Sequence, residues 1–124
     1  MKPTDCLIGV CGNCVSGKTT LVEGLKAMGY QAVNIPQEHS VTKKFWMRKQ
    51  PDFLVVLICG LETAQARRNI AWGEERLVKQ RERLAHAIEQ CNLYLETDHL
   101  TIPEMLWHTV AAVKKYCQNA KETS

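Results

Sequence analysis

No part of this chain restricts its structure as strongly as the run Gly12-Asn13-Cys14-Val15-Ser16-Gly17-Lys18-Thr19. Two glycines lie five positions apart, and the second is followed directly by a lysine and a hydroxyl residue. Glycines permit backbone conformations in which successive N–H groups point inward at an anion. The lysine can then reach phosphate oxygens, and the hydroxyl group can bind Mg²⁺. The run therefore predicts a phosphate-binding loop.

The residues on either side predict the order strand, loop, helix that such a loop requires. The apolar run 6–10 is typical of a buried strand, and residues 18–28 predict a helix with one apolar face. The positive end of that helix would point at the bound anion. Together these features are those of a P-loop. They predict that the residues from Gly12 to Thr20 bind a nucleoside triphosphate, ATP, with Lys18 at its β- and γ-phosphates and Mg²⁺ held by Thr19.

A second pattern, Cys11-Gly12-Asn13-Cys14, overlaps this loop and is a CxxC, which thioredoxins also place between a strand and a helix. Gly17, Lys18 and Thr19 have no role in a thioredoxin, so we interpret the two cysteines as small residues in a crowded loop. A thiol redox function of Cys11 and Cys14 is a weaker alternative. An intermediate hypothesis is that a thiol of low pKa at the helix N-terminus is oxidised, which would distort the loop and block nucleotide binding.

Length and composition exclude several classes of protein. A chain of 124 residues predicts a single nucleotide-binding domain over 1–118, followed by a frayed polar tail over 119–124. The net charge of +3 is too small to argue for nucleic acid or a membrane as a partner. No signal peptide or membrane span is recognised. The six cysteines lie mostly in apolar segments, which predicts reduced thiols in a cytoplasmic protein.

Apolar runs and turn residues predict four strands that alternate with helices. We expect the strands over 5–10, 30–35, 53–58 and 92–96, and the helices over 18–28, 61–69, 74–91 and 102–118. Gly29 suits the end of the first helix, and Thr101 with Glu104 forms a capping box before the last. The alternation predicts an α/β fold of three layers, with a parallel sheet of order 2-1-3-4 flanked by helices. The glycine-rich loop then lies at the crevice where open α/β sheets bind ligands.

The acid that usually binds Mg²⁺ beside a P-loop is missing, because no apolar run ends directly in aspartate. Glu38, Glu62 and Asp98 follow the ends of strands instead. We favour Glu38 as a ligand of Mg²⁺, through water, or as the base that accepts a proton from an acceptor hydroxyl. The alternative is a solvated loop carboxylate. Glu62 fits the first turn of a helix, and Asp98 fits the turn before Thr101. His39 could pair with phosphate or tune Glu38, although a surface loop histidine is the simpler interpretation.

Basic residues cluster in two places. The arginines after the third strand are Arg67, Arg68, Arg76, Arg81 and Arg83. A solvated helical face explains most of them, but phosphoryl transfer needs cations, and a guanidinium can stack on a purine. Arg67 or Arg68 is therefore the candidate to face the nucleotide. The basic and aromatic stretch 43–49 could contact nucleic acid or an anionic acceptor, although a solvated loop with one buried tryptophan is the simpler interpretation.

Several runs together resemble the small P-loop kinases, such as adenylylsulfate kinases and related small-metabolite kinases. They are Gly12 to Thr19, Pro51-Asp52-Phe53-Leu54-Val55-Val56-Leu57, Leu61-Glu62-Thr63-Ala64-Gln65-Ala66-Arg67-Arg68, Leu93-Tyr94-Leu95-Glu96-Thr97-Asp98 and Leu100-Thr101-Ile102-Pro103-Glu104. The resemblance implies that Arg67 or Arg68 contacts adenine or phosphates and that the segment near Thr97 and Asp98 lies beside adenine. The chain is shorter than these kinases, and it looks most similar to a compact P-loop ATPase-like group.

These observations predict an ATP-binding phosphotransferase or NTPase, with a small-molecule acceptor in the first case. Lys18 and the loop amides would hold the phosphates, Thr19 and Glu38 the Mg²⁺, and Arg67 or Arg68 the adenine or the transferred group. The alternative is a nucleotide-binding module that regulates a partner with little turnover. The short chain and the missing acid favour that alternative. The sequence specifies neither the acceptor nor the oligomeric state.

Overall fold

The computed structural model describes residues 6–13, 17–60 and 74–123. These residues form an α/β structure around a parallel sheet of four strands. The strands are β1 (Leu7–Gly12), β2 (Gln31–Asn34), β3 (Phe53–Ile58) and β4 (Leu93–Glu96). Their order across the sheet is β2-β1-β3-β4, which confirms the predicted order. The first strand is therefore internal. The chain adds β2 on one side of β1 and then β3 and β4 on the other side, so the strand order reverses at β1.

Three α-helices belong to the described part of the chain: α1 (Lys18–Ala27), α2 (Glu74–Gln90) and α3 (Ile102–Thr123). Two short 3₁₀ helices, Gln37–His39 and Phe45–Lys49, lie between β2 and β3. Apolar side chains of α1 and α3 pack on one face of the sheet, and those of α2 pack on the other. The helices therefore cover the sheet on both faces, as is usual for parallel sheets.

The third strand shows how the sequence produces this layering. All six of its residues are apolar, and all are buried. Because successive side chains point to opposite faces, Val55 and Leu57 pack towards α1 and α3. Val56 and Ile58 pack in the other cluster, which contains Leu84 of α2. Continuous apolar sequence is what a strand covered on both faces requires.

The register of the sheet brings the carboxyl ends of the strands to one edge. Val10 is paired with Asn34 of β2 and with Val55 of β3. Leu57 is paired in turn with Leu95 of β4. The segments that follow β1, β2, β3 and β4 therefore leave the sheet side by side. The glycine-rich segment, which we define as residues 12–19, begins at this edge.

The elements agree with the sequence expectations except at their ends. The strand β3 has the predicted bounds, whereas β1 continues to Gly12 and so enters the glycine-rich segment. Gly29 has a φ of 91° directly after the first helix, as expected for a helix-ending glycine. The last helix runs to Thr123, so residues predicted as a frayed tail from 119 onward belong to α3. The helix predicted over 61–69 lies outside the described residues.

The predicted capping box at the start of α3 is confirmed. The backbone N–H of Glu104 donates to Thr101 Oγ1 at 3.2 Å. The backbone N–H of Thr101 donates to Glu104 Oε1 at 3.1 Å. These reciprocal bonds satisfy two donors that the helix itself cannot pair, and they lower the pKa of Glu104.

None of the helices in the described part of the chain is long and apolar enough to cross a membrane. The longest of them, α3, carries the charged residues Glu104, Lys114 and Lys115.

Candidate functional site

Gly17 shapes the start of the first helix. It is the residue before Lys18, and its φ of 105° lies in the left-handed region that favours glycine. Its carbonyl accepts a hydrogen bond from the N–H of Leu21 at 3.0 Å, which forms the first turn of α1. The Gly17 position supplies no side-chain cap, and the first turn carries no acidic residue. The N–H groups and the positive end of α1 are thereby directed at the edge where the strands end.

The ammonium group of Lys18 is held by three oxygen atoms. Lys18 Nζ donates to the carbonyl oxygens of Gly12 and Asn13, each at 3.0 Å. It also lies 2.5 Å from Glu38 Oε2. Three acceptors match the three donors of an ammonium group. Only 10% of the Lys18 side chain is exposed, so its charge is concentrated at the carboxyl end of β1.

Glu38 lies in the 3₁₀ helix Gln37–His39, just beyond β2, and its side chain is 3% exposed. Our alternative interpretation of it as a solvated loop carboxylate is therefore wrong. One carboxylate oxygen pairs with Lys18, but the other, Oε1, is buried and has no hydrogen-bond partner among the described residues. A buried charged oxygen without a partner is unfavourable. The geometry at Oε1 therefore suits a cation or a hydrogen-bond donor.

Gln37 explains why Glu38 is buried. Gln37 Nε2 donates to the carbonyl oxygens of Thr42 at 2.8 Å and Arg83 at 3.0 Å. Gln37 Oε1 accepts a hydrogen bond from the N–H of Trp46 at 2.8 Å. Arg83 Nη1 in turn donates to the carbonyl oxygen of Glu38 at 3.3 Å. These bonds fasten the 3₁₀ helix to α2 and fix the direction of the Glu38 side chain.

Sequence reasoning missed this role of Gln37, and it interpreted Arg83 only as part of a solvated face. A single glutamine carries no local pattern that distinguishes a buried amide from an exposed one. The available signal was its place beside Glu38, directly after the second strand and Pro36.

Asn13 has a structural role in addition to its place in the glycine-rich segment. Its side chain is fully buried. Asn13 Nδ2 donates to the carbonyl oxygen of Cys59 at 2.6 Å, and the N–H of Cys59 donates to Asn13 Oδ1 at 3.0 Å. This pair of bonds fastens the end of β1 to the end of β3. The side chain is consequently turned towards β3, and only the backbone of Asn13 is left to contact a ligand.

The hydroxyl group of Thr19 lies on the exposed side of the first turn of α1. Thr19 Oγ1 accepts a hydrogen bond from Asn34 Nδ2 at 3.3 Å, and Thr20 beside it is also exposed. A hydroxyl oxygen has a second lone pair with which to bind a cation. The described residues contain no group of three or more His, Cys, Asp or Glu side chains that could hold a metal ion. A metal bound by Thr19 and Glu38 would thus need further oxygen ligands from a phosphate.

Asp98 lies at the same edge of the sheet, where its side chain forms a hydrogen bond with the backbone. Its Oδ1 accepts a hydrogen bond from the N–H of Gly60 at 2.9 Å. The N–H of Thr97 donates to the carbonyl oxygen of Ile58 at 2.8 Å. The two bonds join the segments that follow β3 and β4. Asp98 thus contacts the segment after β3, whereas the sequence predicted a role in the turn before Thr101.

A cavity of about 310 Å³ opens between α2 and the loop that contains Glu38. It is lined by His39, Glu75, Arg76, Lys79, Gln80 and Arg83. The four lining residues from Arg76 to Arg83 recur at helical spacing and therefore share one face of α2. His39 Nε2 is 3.8 Å from Glu38 Oε2, which connects the rim of the cavity to the buried carboxylate. Most of its lining side chains are basic.

The basic and aromatic stretch 43–49 contains the 3₁₀ helix Phe45–Lys49, which packs on α2. Trp46 is half-buried, and its Nε1 donates to His86 Nδ1 at 3.1 Å. Arg48 lies over the ring of Phe45 at 5.4 Å. The segment therefore supports the buried side of the loop with its aromatic rings, and its lysines stay exposed.

The thiol of Cys11 lies in an environment that disfavours the reactive thiolate form. Cys11 is fully buried in β1, and burial followed by the charge of Glu38 raises its pKa to about 12. A low thiol pKa, on which the oxidation hypothesis depends, is therefore excluded for Cys11. Several other predicted residues lie outside the described part of the chain: Cys14, Val15, Ser16, Glu62, Arg67 and Arg68.

No protein-family model, curated protein or solved structure matches this chain.

Proposed function

We propose that this chain binds ATP and Mg²⁺ at the glycine-rich segment and is a P-loop phosphotransferase or NTPase. The observation that carries the proposal is the position of Lys18. Its ammonium group lies at the positive end of α1, within 3.0 Å of two carbonyl oxygens of the segment and beside Glu38. Phosphate oxygens of ATP offer the same group stronger acceptors, and the N–H groups of the first turn of α1 add to the attraction.

Two side chains fit Mg²⁺ in this site. Thr19 supplies an exposed hydroxyl oxygen, and Glu38 supplies the buried Oε1 that has no partner among the described residues. Both are hard oxygen ligands, which Mg²⁺ prefers, and the remaining ligands would come from phosphate and water. When bound, Mg²⁺ would offset the negative charge of the β- and γ-phosphates.

Glu38 is also suited to handle a proton. Beside Lys18, the carboxylate would take this role in place of binding Mg²⁺, because Oε2 is paired with Lys18 and Oε1 cannot hold a metal ion and a proton at once. A carboxylate in that position can accept the proton of the attacking group. Arg67 and Arg68 remain the arginines that we propose to contact adenine or the transferred phosphoryl group.

A second candidate function is a nucleotide-binding module with little turnover. One observation favours it: each of the two acids described at this edge has one oxygen already engaged, Glu38 Oε2 with Lys18 and Asp98 Oδ1 with the N–H of Gly60. Neither follows its strand directly in the way that the usual metal-binding acid does. Such a module would bind Mg-ATP through Lys18 but would release phosphate very slowly.

The test is a titration with a fluorescent ATP analogue in the presence of Mg²⁺. Lys18→Ala is expected to weaken binding about tenfold or more, because loss of one charged phosphate contact costs about 1.4 kcal/mol or more. Lys26→Ala is the matched control, since it removes an exposed lysine from the other end of α1. Unchanged affinity in Lys18→Ala would show that both nucleotide proposals are wrong.

Turnover then separates the two functions. Phosphate release from Mg-ATP alone identifies an NTPase, and transfer to a member of a metabolite panel identifies a phosphotransferase. Tight binding with neither reaction identifies the regulatory module.

A further inference from the structure

The cavity beside Glu38 is strongly cationic. Arg76, Lys79 and Arg83 each contribute a positive charge, and His39 adds another when it is protonated. Among the described residues that line the cavity, Glu75 is the one acid. Lys79 and Arg83 form no ion pair with any carboxylate in the described part of the chain. The balance of charge therefore favours an anion in this cavity.

Two of the basic side chains are guanidinium groups. Their fixed N–H donors match the oxygen atoms of phosphate and carboxylate groups, often with two bonds at once. The buried amide of Gln80 adds a neutral polar group to the lining. At about 310 Å³ the cavity is at the small end of the range for small-molecule sites, which are roughly 300–1,000 Å³. A small organic anion fits a cavity of this size.

The cavity adjoins the groups proposed for phosphoryl transfer. Arg83 belongs to its lining and donates to the carbonyl oxygen of Glu38 at 3.3 Å. His39 belongs to its rim and approaches the Glu38 carboxylate to 3.8 Å. That carboxylate is in contact with Lys18. The lining of the cavity is thus connected through Arg83 and His39 to Glu38, and through Glu38 to Lys18.

We propose that this cavity binds the phosphate group of a small phosphorylated metabolite, which is the acceptor of the reaction. The inference rests on the proposed nucleotide function, and it assigns the class of the second substrate. In the transfer, the acceptor hydroxyl oxygen forms a bond to the γ-phosphorus, and the bond between that phosphorus and the β,γ-bridging oxygen breaks. ADP leaves with the electron pair, and the hydroxyl proton passes to the carboxylate of Glu38.

The experiment measures the binding of phenyl phosphate by calorimetry. We expect the double variant Arg76→Gln with Lys79→Gln to lose about tenfold or more in affinity, because it removes two charged contacts from the site. Both residues are exposed on α2, so the variant keeps the buried contacts of the helix. The matched control is Arg81→Gln with Lys115→Gln, which removes the same two residue types from exposed positions outside the cavity. An equal loss of affinity in the control, or no loss in the cavity variant, would overturn the proposal.

Additional ligands and a further variant in the same assay identify the class of ligand and the place where it binds. Benzoate is expected to bind more weakly than phenyl phosphate, since it carries less charge, and equal binding would overturn the assignment to phosphate. A short single-stranded DNA that bound more tightly and lost affinity in the cavity variant would overturn the assignment to a small molecule. Loss of phenyl phosphate binding in Lys18→Ala but not in the cavity variant would place the phosphate in the glycine-rich segment and would overturn the proposal.

The same variants keep the two proposals distinguishable. ATP-analogue binding that is insensitive to Lys18→Ala contradicts the nucleotide function, while phenyl phosphate binding still reports on the cavity. Phenyl phosphate binding that is insensitive to the cavity variant contradicts the acceptor site, while the analogue still reports on the nucleotide. A comparable loss of both ligands in the cavity variant would indicate a general effect of charge and would overturn the proposed site.

Discussion

The ammonium group of Lys18 lies 2.5 Å from the carboxylate of Glu38, and this ion pair joins the start of α1 to the 3₁₀ helix that follows β2. Both side chains are almost completely buried. A buried ion pair contributes little net stability, because desolvation of its charges offsets much of the attraction. Its main effect here is therefore on position, since it brings together two groups that distant parts of the sequence supply.

Glu38→Gln tests this pair directly. The variant keeps the shape of the side chain but leaves Lys18 without its negative partner. We expect the free energy of unfolding to fall by about 1–3 kcal/mol, as for a buried charged group that loses its partner. Phosphate release or transfer is expected to fall about 100-fold or more, the usual contribution of a general base.

The control is Glu89→Gln, which removes an exposed carboxylate from α2. Urea unfolding measures stability, and steady-state assays measure turnover. Unaltered turnover in Glu38→Gln would exclude Glu38 from the chemistry, whatever happens to stability.

Two glycines test the backbone conformation at the start of α1. Gly17 and Gly29 have φ values of 105° and 91°, so alanine strains either position by about 1–2 kcal/mol. A Cβ at Gly17 would also lie 3.1 Å from Met105 Cε, whereas a Cβ at Gly29 meets no heavy atom of the described residues within 4 Å. We expect Gly17→Ala to unfold at lower urea concentration than Gly29→Ala, and only Gly17→Ala to weaken binding of the ATP analogue. Equal nucleotide affinity in both variants would show that nucleotide binding does not depend on the left-handed backbone conformation at Gly17.

Asn13→Ala removes the side-chain hydrogen bonds that join the end of β1 to the end of β3. The variant loses the two buried hydrogen bonds that the side chain of Asn13 makes with the backbone N–H and C=O groups of Cys59. We expect the free energy of unfolding to fall by about 2 kcal/mol, since each of the two bonds contributes about 1 kcal/mol. Gln90→Ala, at an exposed position of α2, is the control for loss of a side-chain amide. A fall no larger than that of the control would contradict the structural role of Asn13.

Buried thiols make stability depend on pH above neutrality. Burial raises the pKa of Cys6 and of Cys11 from 9.0 to about 12. An unfolded chain loses these protons near pH 9, whereas the folded chain keeps them until about pH 12, so rising pH favours the unfolded state. The contribution is complete below pH 9 and is lost progressively between pH 9 and pH 12. Urea unfolding between pH 9 and pH 12 should show that the free energy of unfolding declines less steeply in Cys11→Ala than in the wild type. An identical decline in both proteins would contradict the raised pKa of Cys11.

Local patterns predicted the parts of the structure that depend on neighbouring residues. The strand Phe53–Ile58 has its predicted bounds because an uninterrupted apolar run of this length fits only a strand covered on both faces. The reciprocal bonds of Thr101 and Glu104 were predictable for the same reason, since the two residues are three positions apart. The order of the sheet followed from the alternation of strands and helices.

Other features depend on contacts between distant residues and could not be predicted. The burial of Glu38 results from the bonds of Gln37 and Arg83, and the partner of the Asn13 side chain lies on β3. Nothing in the sequence near position 38 indicates that α2 will pack there. The cationic cavity has the same origin, because the sequence shows the helical spacing of Arg76, Lys79 and Arg83 but not the surface that faces them.

The two hydrogen bonds between the Glu38 loop and Arg83 run in opposite directions. Gln37 donates to the carbonyl oxygen of Arg83, and the guanidinium group of Arg83 donates to the carbonyl oxygen of Glu38. The position of Glu38 therefore depends on contacts with α2, the helix that also lines the cavity. Thermodynamic linkage makes any coupling between two binding sites reciprocal. If an anion in the cavity raises the affinity for nucleotide by some factor, the nucleotide raises the affinity for that anion by the same factor.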